Sequence, residues 1–255
     1  PRAGWGAAST LGLFAAAGVA LTALVAYEPR RHEPLLELRF FRSAPFSGAT
    51  AIAVSAFAGF SGFLFLNTLY LQDVRGYSPL QAGLCTLPMA VAALIASPIS
   101  GRVVGSLGAR RPLILAGTCM AVAALALTGL TASTPLVVLL LSYAVFGIGF
   151  GTVNSPITYT AVSGMPNSQA GVAAAVASTS RQVGQTLGVA ITGSILGSAA
   201  AGSGLGRGLV DASHPAWWVI AGCGAAVALI GAGTTGRWAR ATAARSATRL
   251  QQEPA

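Results

Sequence analysis

The stretch that decides the fold is Asn154–Gly193, NSPITYTAVSGMPNSQAGVAAAVASTSRQVGQTLGVAITG. Two apolar segments are joined by a short polar turn, and the second carries Arg181, the one arginine predicted to lie inside hydrocarbon. A charge near the bilayer centre costs between ~3 and ~10 kcal/mol, so such residues usually face a wet cavity or a partner. Arg181 lies at helical spacing from Gly184, Gln185 and Gly188, which predicts a helix face that is both small and polar. Such a face is typical of the wall of a transport pathway.

The composition indicates a membrane protein. Of the 255 residues, 54% are hydrophobic and 8% are charged, whereas soluble domains are about one quarter charged. The 32 glycines fit closely packed membrane helices. The net charge of +9 is compatible with nucleic-acid binding, but the arginines lie between apolar runs and form no basic stripe with aromatic residues. We therefore expect the lipid bilayer, and no nucleic acid, as a partner.

Seven segments are long enough to cross a hydrocarbon core of ~30 Å, which needs about 20 apolar residues per helix. No alternating ten-residue pattern suggests a barrel, so the sequence predicts an all-α polytopic membrane protein. The predicted spans are Thr10–Tyr27, Phe46–Leu71, Leu80–Ile99, Pro112–Thr131, Pro135–Tyr159, Ala170–Leu196 and Pro215–Gly236.

The distribution of arginine predicts the orientation, because short cytoplasmic loops are enriched in positive charge. If the first span runs from outside to inside, eleven arginines fall in inside stretches and three in outside stretches, with Arg181 between them. The sequence therefore predicts a cell-membrane protein with its N-terminus outside and its C-terminus in the cytoplasm.

Three polar residues are candidates for the lining of a substrate pathway. Arg181 is about 16 Å into its segment at ~1.5 Å per residue, where it either lines a cavity or extends toward the cytoplasmic headgroups. Gln185 lies one turn deeper, and Asn154 interrupts the preceding segment. Pro156 follows at once and is a candidate hinge, because a proline inside a helix frees a carbonyl. The run Gly147–Gly151, with Gly147, Gly149 and Gly151, allows close packing and bending, as do Gly184 and Gly188.

The sequence contains no recognisable catalytic site. No acid or histidine lies inside a predicted span, and no nucleophile, base and orienting acid are brought together. The three cysteines, Cys85, Cys119 and Cys223, lie singly and lack metal-ligand spacing. A lysine-containing phosphate loop is excluded because the chain has no lysine. We therefore expect no enzyme activity, no metal and no bound cofactor.

Several stretches together resemble the major facilitator superfamily and, more narrowly, its fourteen-helix drug/proton antiporters of the EmrB/QacA type. LYLQDVRGYSPLQAGLCTLP (Leu69–Pro88) is similar to an outside turn of that family, and RQVGQTLGVAITG (Arg181–Gly193) to its penultimate helix. Gly4-Trp5, a helix and then EPRRHEPLLELRFFRSAPF (Glu28–Phe46) resemble its junction into the second bundle. The resemblance covers essentially the whole chain.

The loop GRVVGSLGARRP (Gly101–Pro112) resembles the cytoplasmic loop of the superfamily at Gly101, Gly108, Arg110 and Arg111. The usual Asp is replaced by Gly105 and the following arginine by Ser106, which puts a charge latch from this loop in doubt. A tight turn with arginines that set the orientation explains the pattern equally.

The resemblance implies that the chain is the C-terminal portion of such an antiporter, an expectation that also fits its start at Pro1 rather than Met. We then expect an extra helix with a short outside lead over 1–27, a cytoplasmic interdomain loop over 28–44, a six-helix bundle over 45–236 and a basic cytoplasmic tail over 237–255. The partner would be the missing N-terminal half, which would also hold the proton-coupling carboxylates, so the proton gradient would replace any cofactor.

The implied function is export of small organic molecules, amphipathic or cationic, against proton entry. An exporter of one specific metabolite and a stand-alone seven-helix receptor or scaffold remain as alternatives.

Overall fold

The computed structural model describes residues 8–27, 41, 43–163, 169–203, 208–236 and 241–242. Most of the expected interdomain loop (28–44) and of the basic tail (237–255) lies outside these residues. Within the described part, every regular element is helical. The helices are α1 (Ala8–Tyr27), α2 (Ala44–Leu69), α3 (Pro79–Cys85), α4 (Leu87–Leu107), α5 (Arg110–Ala126), α6 (Leu136–Val162), α7 (Ala170–Ser203) and α8 (Gly208–Thr234).

The seven predicted spans correspond to the seven long helices, and α3 is an added short element. The predicted span Leu80–Ile99 is divided at Thr86 into α3 and α4. Four described segments are long and apolar enough to cross a membrane by length and composition alone; these are Ala44–Val74, Pro79–Leu107, Leu136–Val162 and Gly208–Thr234. α5 has 17 residues, and α7, with 34, contains Arg181 and several polar residues. The chain is therefore an all-α polytopic membrane protein, as predicted.

Three of the described helices have proline in their first two positions. A backbone N–H there has no partner within the helix, so its absence in proline costs no hydrogen bond. These prolines are Pro45 of α2, Pro79 of α3 and Pro88 of α4. α3 also has a capping box, in which the Ser78 hydroxyl accepts from the Gln81 N–H and the Gln81 side chain accepts from the Ser78 N–H. The sequence therefore determines where these helices start.

α6 is the central helix, and its glycines determine how closely its neighbours approach. It packs against α4 on one side and α5 on the other, while α2 packs against α7 and α8. A Cβ atom added to Gly147 would overlap the Met89 carbonyl oxygen, and one added to Gly151 would lie 2.5 Å from that of Ala93. Gly149 faces α5, where an added Cβ would lie 2.7 Å from the Ala116 oxygen. The run Gly147–Gly151 thus serves two interfaces at once.

A buried polar pair connects α2 and α6 near the C-terminal end of α2. The Tyr143 hydroxyl donates to Asn67 Oδ1 at 2.5 Å, and Asn67 Nδ2 donates to the Phe63 carbonyl at 2.8 Å. Asn67 is 1% exposed, so it is a core residue and not the rim residue that its position near the end of a span suggests. Around it Phe63 stacks on Phe146 with ring centroids 3.9 Å apart and meets Trp217 edge-on at 5.7 Å.

Tyr143→Phe is expected to lower the free energy of unfolding by about 1–2 kcal/mol, because it leaves Asn67 Oδ1 buried without a donor. The measurement is the midpoint of thermal unfolding in detergent. Tyr159→Phe, which removes a hydroxyl from a side chain that is 52% exposed, is the control. Equal midpoints for the two variants would contradict the assignment of the pair as a structural bond.

Arg75 joins two parts of the rim at the C-terminal end of α2. After α2 a π-helical turn covers Tyr70–Val74. Arg75 Nε then donates to the Tyr70 hydroxyl at 3.0 Å, and its terminal nitrogen donates to the Thr134 carbonyl. Tyr70 itself donates to the Thr131 carbonyl at 2.7 Å. These bonds connect the α2 end to the loop between α5 and α6.

The turn between α4 and α5 is closed by glycine. Gly108 ends α4 with φ +78°, a region that glycine enters without steric cost. Arg110 and Arg111 are the first residues of α5, and both are exposed. Gly101 faces α6, with its added Cβ 3.6 Å from the Ser155 hydroxyl. The positive φ that this turn requires therefore explains the glycine at position 108.

Candidate functional site

Arg181 lies where α7 meets α6 and α2, and this contact region is called the crevice below. One of its terminal nitrogens donates to the Thr158 hydroxyl of α6 at 2.8 Å. Its Cζ atom lies 5.9 Å from the ring centroid of Phe57 on α2, within the range of a cation–π contact. The Nε–H is buried and has no hydrogen-bond partner in the described structure. The side chain is thus fixed at one end and keeps one donor unused inside the crevice.

An aromatic cluster, defined here as Phe57, Phe60 and Phe150, lies beside this guanidinium. Phe60 and Phe150 stack with ring centroids 3.9 Å apart and planes 7° from parallel. Phe57 meets Phe150 edge-on at 5.2 Å. Sequence reasoning did not single out these rings. The available signals were the i, i+3 spacing of Phe57 and Phe60 and the position of Phe150 inside the glycine run.

The structure brings Arg181 and Asn154 to the same crevice through Thr158, whose hydroxyl also donates to the Asn154 carbonyl at 3.3 Å. The Asn154 side chain donates to the Phe150 carbonyl of its own helix at 3.2 Å. Gln185 is exposed one turn further along α7, and its carbonyl accepts from the Ser61 hydroxyl at 2.8 Å. Two of the three predicted pathway residues therefore lie together, and the third continues the same helix.

The small residues of α7 have a packing role. A Cβ added at Gly184 would overlap the Val54 carbonyl oxygen, and one added at Gly188 would overlap that of Ala58. Both glycines are buried against α2, while Gln185 is exposed and Arg181 is half-buried. The predicted small, polar face is thus divided, because its glycines meet α2 and its polar residues lie at the edge of that contact.

Pro156 leaves a carbonyl on α6 that a neighbouring helix satisfies. Proline has no N–H for the carbonyl of residue i−4, which is Thr152. The Ser100 hydroxyl of α4 donates to this carbonyl at 2.6 Å, and Ser100 is 2% exposed. Such compensation allows a proline inside a membrane helix. A hydrogen bond thus joins α4 to α6 at the candidate hinge.

Ser100→Ala is expected to lower the free energy of unfolding by about 1 kcal/mol, because the Thr152 carbonyl loses its donor in hydrocarbon. Adding Pro156→Ala should recover most of this loss, since the introduced alanine supplies a backbone N–H to the same carbonyl. Thermal unfolding of both single variants and the double variant gives the coupling. Ser106→Ala, on an exposed serine that bonds within α4, is the control; strict additivity would contradict the compensation.

The crevice brings together the Arg181 cation, the Thr158 hydroxyl, the Asn154 amide and aromatic rings. In the part of the chain that the structure describes, no group of three or more His, Cys, Asp or Glu side chains is placed to hold a metal ion. The two acids of that part, Asp73 and Asp211, lie together near the end of α2 and the start of α8, beside His214. The arrangement is suited to binding an organic molecule by stacking and hydrogen bonding.

Comparison with known proteins supports a transporter assignment. The chain is 35% identical over 195 residues to the multidrug resistance protein Stp of Mycobacterium tuberculosis, an alignment that covers 76% of this chain and 36% of Stp. It is also 35% identical over 193 residues to the tetracenomycin C resistance and export protein of Streptomyces glaucescens, with the same coverages of 76% and 36%.

A third relative is the tetracycline resistance determinant of Streptomyces rimosus, which is 31% identical over 201 residues, with 78% of this chain and 58% of the relative covered. The chain thus spans between about one third and somewhat over one half of the length of these relatives. The sequence model of the Major Facilitator Superfamily matches residues 2–189. The chain therefore belongs to the Major Facilitator Superfamily, as its motifs predict, and its relatives include drug-resistance and export proteins.

Proposed function

We propose that this chain is part of a secondary active transporter that exports small organic molecules across the cytoplasmic membrane by proton antiport. The observation that carries the proposal is the 35% identity, over 76% of the chain, to proteins named for multidrug resistance and for drug export. Family membership also favours a transporter over an enzyme and over a stand-alone receptor or scaffold.

In this proposal residues 45–236 form one six-helix bundle, which moves against a second bundle around a midplane cavity. Residues 1–27 form an extra helix, residues 28–44 the interdomain loop and residues 237–255 a basic tail. The distribution of arginine favours an outside N-terminus and a cytoplasmic C-terminus. The second bundle supplies the coupling carboxylates, because the acids of this chain all lie in its predicted loops.

The proposed cargo site on this bundle is the crevice of α2, α6 and α7. Arg181 supplies the charge, and Asn154 and Gln185 supply amides along the same path. The aromatic cluster offers a flat apolar surface on which planar molecules stack. Pro156 is the proposed hinge of α6, with Gly147, Gly149 and Gly151 permitting close approach of its neighbours.

Proton-driven accumulation of a fluorescent dye in inverted vesicles tests the proposal, with the full-length protein and an empty-vector control. We expect the dye to accumulate when respiration acidifies the vesicle interior. We expect the accumulated dye to be lost as soon as a protonophore collapses the proton gradient. Transport that survives collapse of the gradient, or no transport of any compound in a panel of dyes and antibiotics, would overturn it.

A single-compound exporter is the second candidate, and the names of two relatives favour it. One is named for tetracenomycin C and another, 33% identical over 199 residues, for methylenomycin A. Competition separates the two functions. A multidrug exporter shows mutual inhibition among unrelated compounds, whereas a single-compound exporter is inhibited by one chemical series.

A further inference from the structure

A deep apolar groove lies between α4 and α5, with α6 as its floor, away from the crevice that contains Arg181. Its volume is about 760 Å³. Ile95 and Ile99 of α4 and Leu115 of α5 form the walls, and each is more than half exposed. α4 and α5 diverge here because both pack on α6 and hardly touch one another. We call this feature the α4–α5 groove.

The two hydroxyls on the floor of the α4–α5 groove both donate hydrogen bonds to backbone carbonyls, so neither has a free hydrogen to donate to a ligand. The Ser100 hydroxyl donates to the Thr152 carbonyl at 2.6 Å, and the Thr152 hydroxyl donates to the Ile148 carbonyl at 2.6 Å. A polar cargo would lose its hydration there without new hydrogen bonds. An alkyl chain loses nothing, so the lining selects hydrocarbon.

One end of the groove carries a positive charge. Arg111, an exposed residue in the first turn of α5, lines that end, and Arg110 precedes it. The two acids of the described part, Asp73 and Asp211, lie at the opposite end of the bundle. From Val103 to Val91, α4 borders the groove for about 18 Å at ~1.5 Å per residue, and one leaflet contributes about half of a ~30 Å hydrocarbon core.

From this combination we infer that the α4–α5 groove binds one anionic phospholipid of the leaflet next to the α4–α5 turn. An acyl chain lies along Ile99 and Ile95, and the phosphate contacts the Arg111 guanidinium. The site differs from the proposed cargo crevice in both place and chemistry. It is a specific lipid site, and the inference does not depend on which molecule the protein exports.

Native mass spectrometry of the full-length protein, purified in mild detergent and offered equal phosphatidylglycerol and phosphatidylcholine, tests the inference. Wild-type protein is expected to retain phosphatidylglycerol preferentially. Arg111→Gln should lower its retention about fivefold, the usual effect of one basic residue near a lipid phosphate, and leave phosphatidylcholine unchanged. Arg110→Gln is the matched control, because it removes a charge from the same turn without lining the groove.

A second variant tests the groove itself. Ala96→Leu places a larger side chain on a lining residue and should lower retention of both lipids; Ala92→Leu replaces it if the first variant is not monodisperse. Ala225→Leu, on an exposed position of α8, is the control. Four outcomes would each overturn the inference. Arg110→Gln and Arg111→Gln could cause equal loss of lipid, or Ala96→Leu could leave lipid binding unchanged. Glycerol phosphate alone could displace the lipid, or a dimer could occupy the groove in place of lipid.

Discussion

Gly147→Leu is expected to abolish the folded protein, and Gly147→Ala to lower its free energy of unfolding by about 3 kcal/mol or more. The position of the first added carbon decides this result, since it would overlap the Met89 carbonyl oxygen and lie 2.8 Å from the Met89 Cα. Both atoms are backbone, so α4 must move as a whole. Overpacking that forces backbone shifts usually costs about 1–3 kcal/mol, and here it removes a close backbone contact of a membrane helix pair.

The measurement is the fraction of monodisperse protein in size-exclusion chromatography after heating, for Gly147→Ala, Gly151→Ala and a control. Gly222→Ala in α8 is that control, because a Cβ added to Gly222 would have no neighbouring atom within 4 Å. Gly151→Ala should resemble Gly147→Ala, since its Cβ would lie 2.5 Å from the Ala93 carbonyl oxygen. A Gly147→Ala protein as stable as Gly222→Ala would show that α4 and α6 are not closely packed.

The sequence predicted that this glycine run permits close packing, but not which helix each glycine meets. Long apolar runs determine where helices lie along the chain, because a membrane leaves few alternatives for an apolar segment. The register between two helices depends on all the side chains of both surfaces. This register places Gly147 and Gly151 against α4 and Gly149 against α5. The sequence of α6 alone does not indicate which helix each glycine contacts.

The same limit applied to α7. The spacing of Arg181, Gly184, Gln185 and Gly188 predicts one helix face, but the contact of Gly184 and Gly188 with α2 divides it. The aromatic cluster was missed because Phe57 and Phe150 are distant in sequence and meet only after α2 and α6 pack. The position of Asn67 near the end of a span suggests a rim residue, because the phenol that buries it, Tyr143, comes 76 residues later.

Pro156 illustrates what sequence and structure contribute separately. The proline alone predicts a free carbonyl and a possible bend, which is why it was proposed as a hinge. The structure adds the donor, since Ser100 of α4 occupies the Thr152 carbonyl at 2.6 Å. A hinge in α6 would therefore either carry α4 with it or break this bond, and the close contacts of Gly147 and Gly151 favour joint movement of α4 and α6.

Arg181→Ala is expected to reduce proton-driven dye transport by about tenfold to a hundredfold at equal amounts of folded protein. Hydrogen bonds to charged groups contribute about 1.5–3 kcal/mol, and each 1.4 kcal/mol is about a factor of ten. The substitution removes the formal charge of the crevice, its bond to Thr158 and its contact with Phe57. Initial rates in inverted vesicles, normalised to monodisperse protein, give the effect. Gln182→Ala, an exposed change on the same helix, should keep the wild-type rate.

Two further variants separate the roles of Arg181. If the guanidinium acts on cargo, Thr158→Val leaves transport within about twofold of wild type, while Arg181→Lys keeps a part of it, because lysine retains the charge but not the planar fork. If Arg181 instead ties α7 to α6, Thr158→Val reproduces the loss seen in Arg181→Ala. A third outcome is wild-type transport by Arg181→Ala with every substrate. That result would mean that transport does not require the guanidinium, and it would remove Arg181 from the proposed pathway.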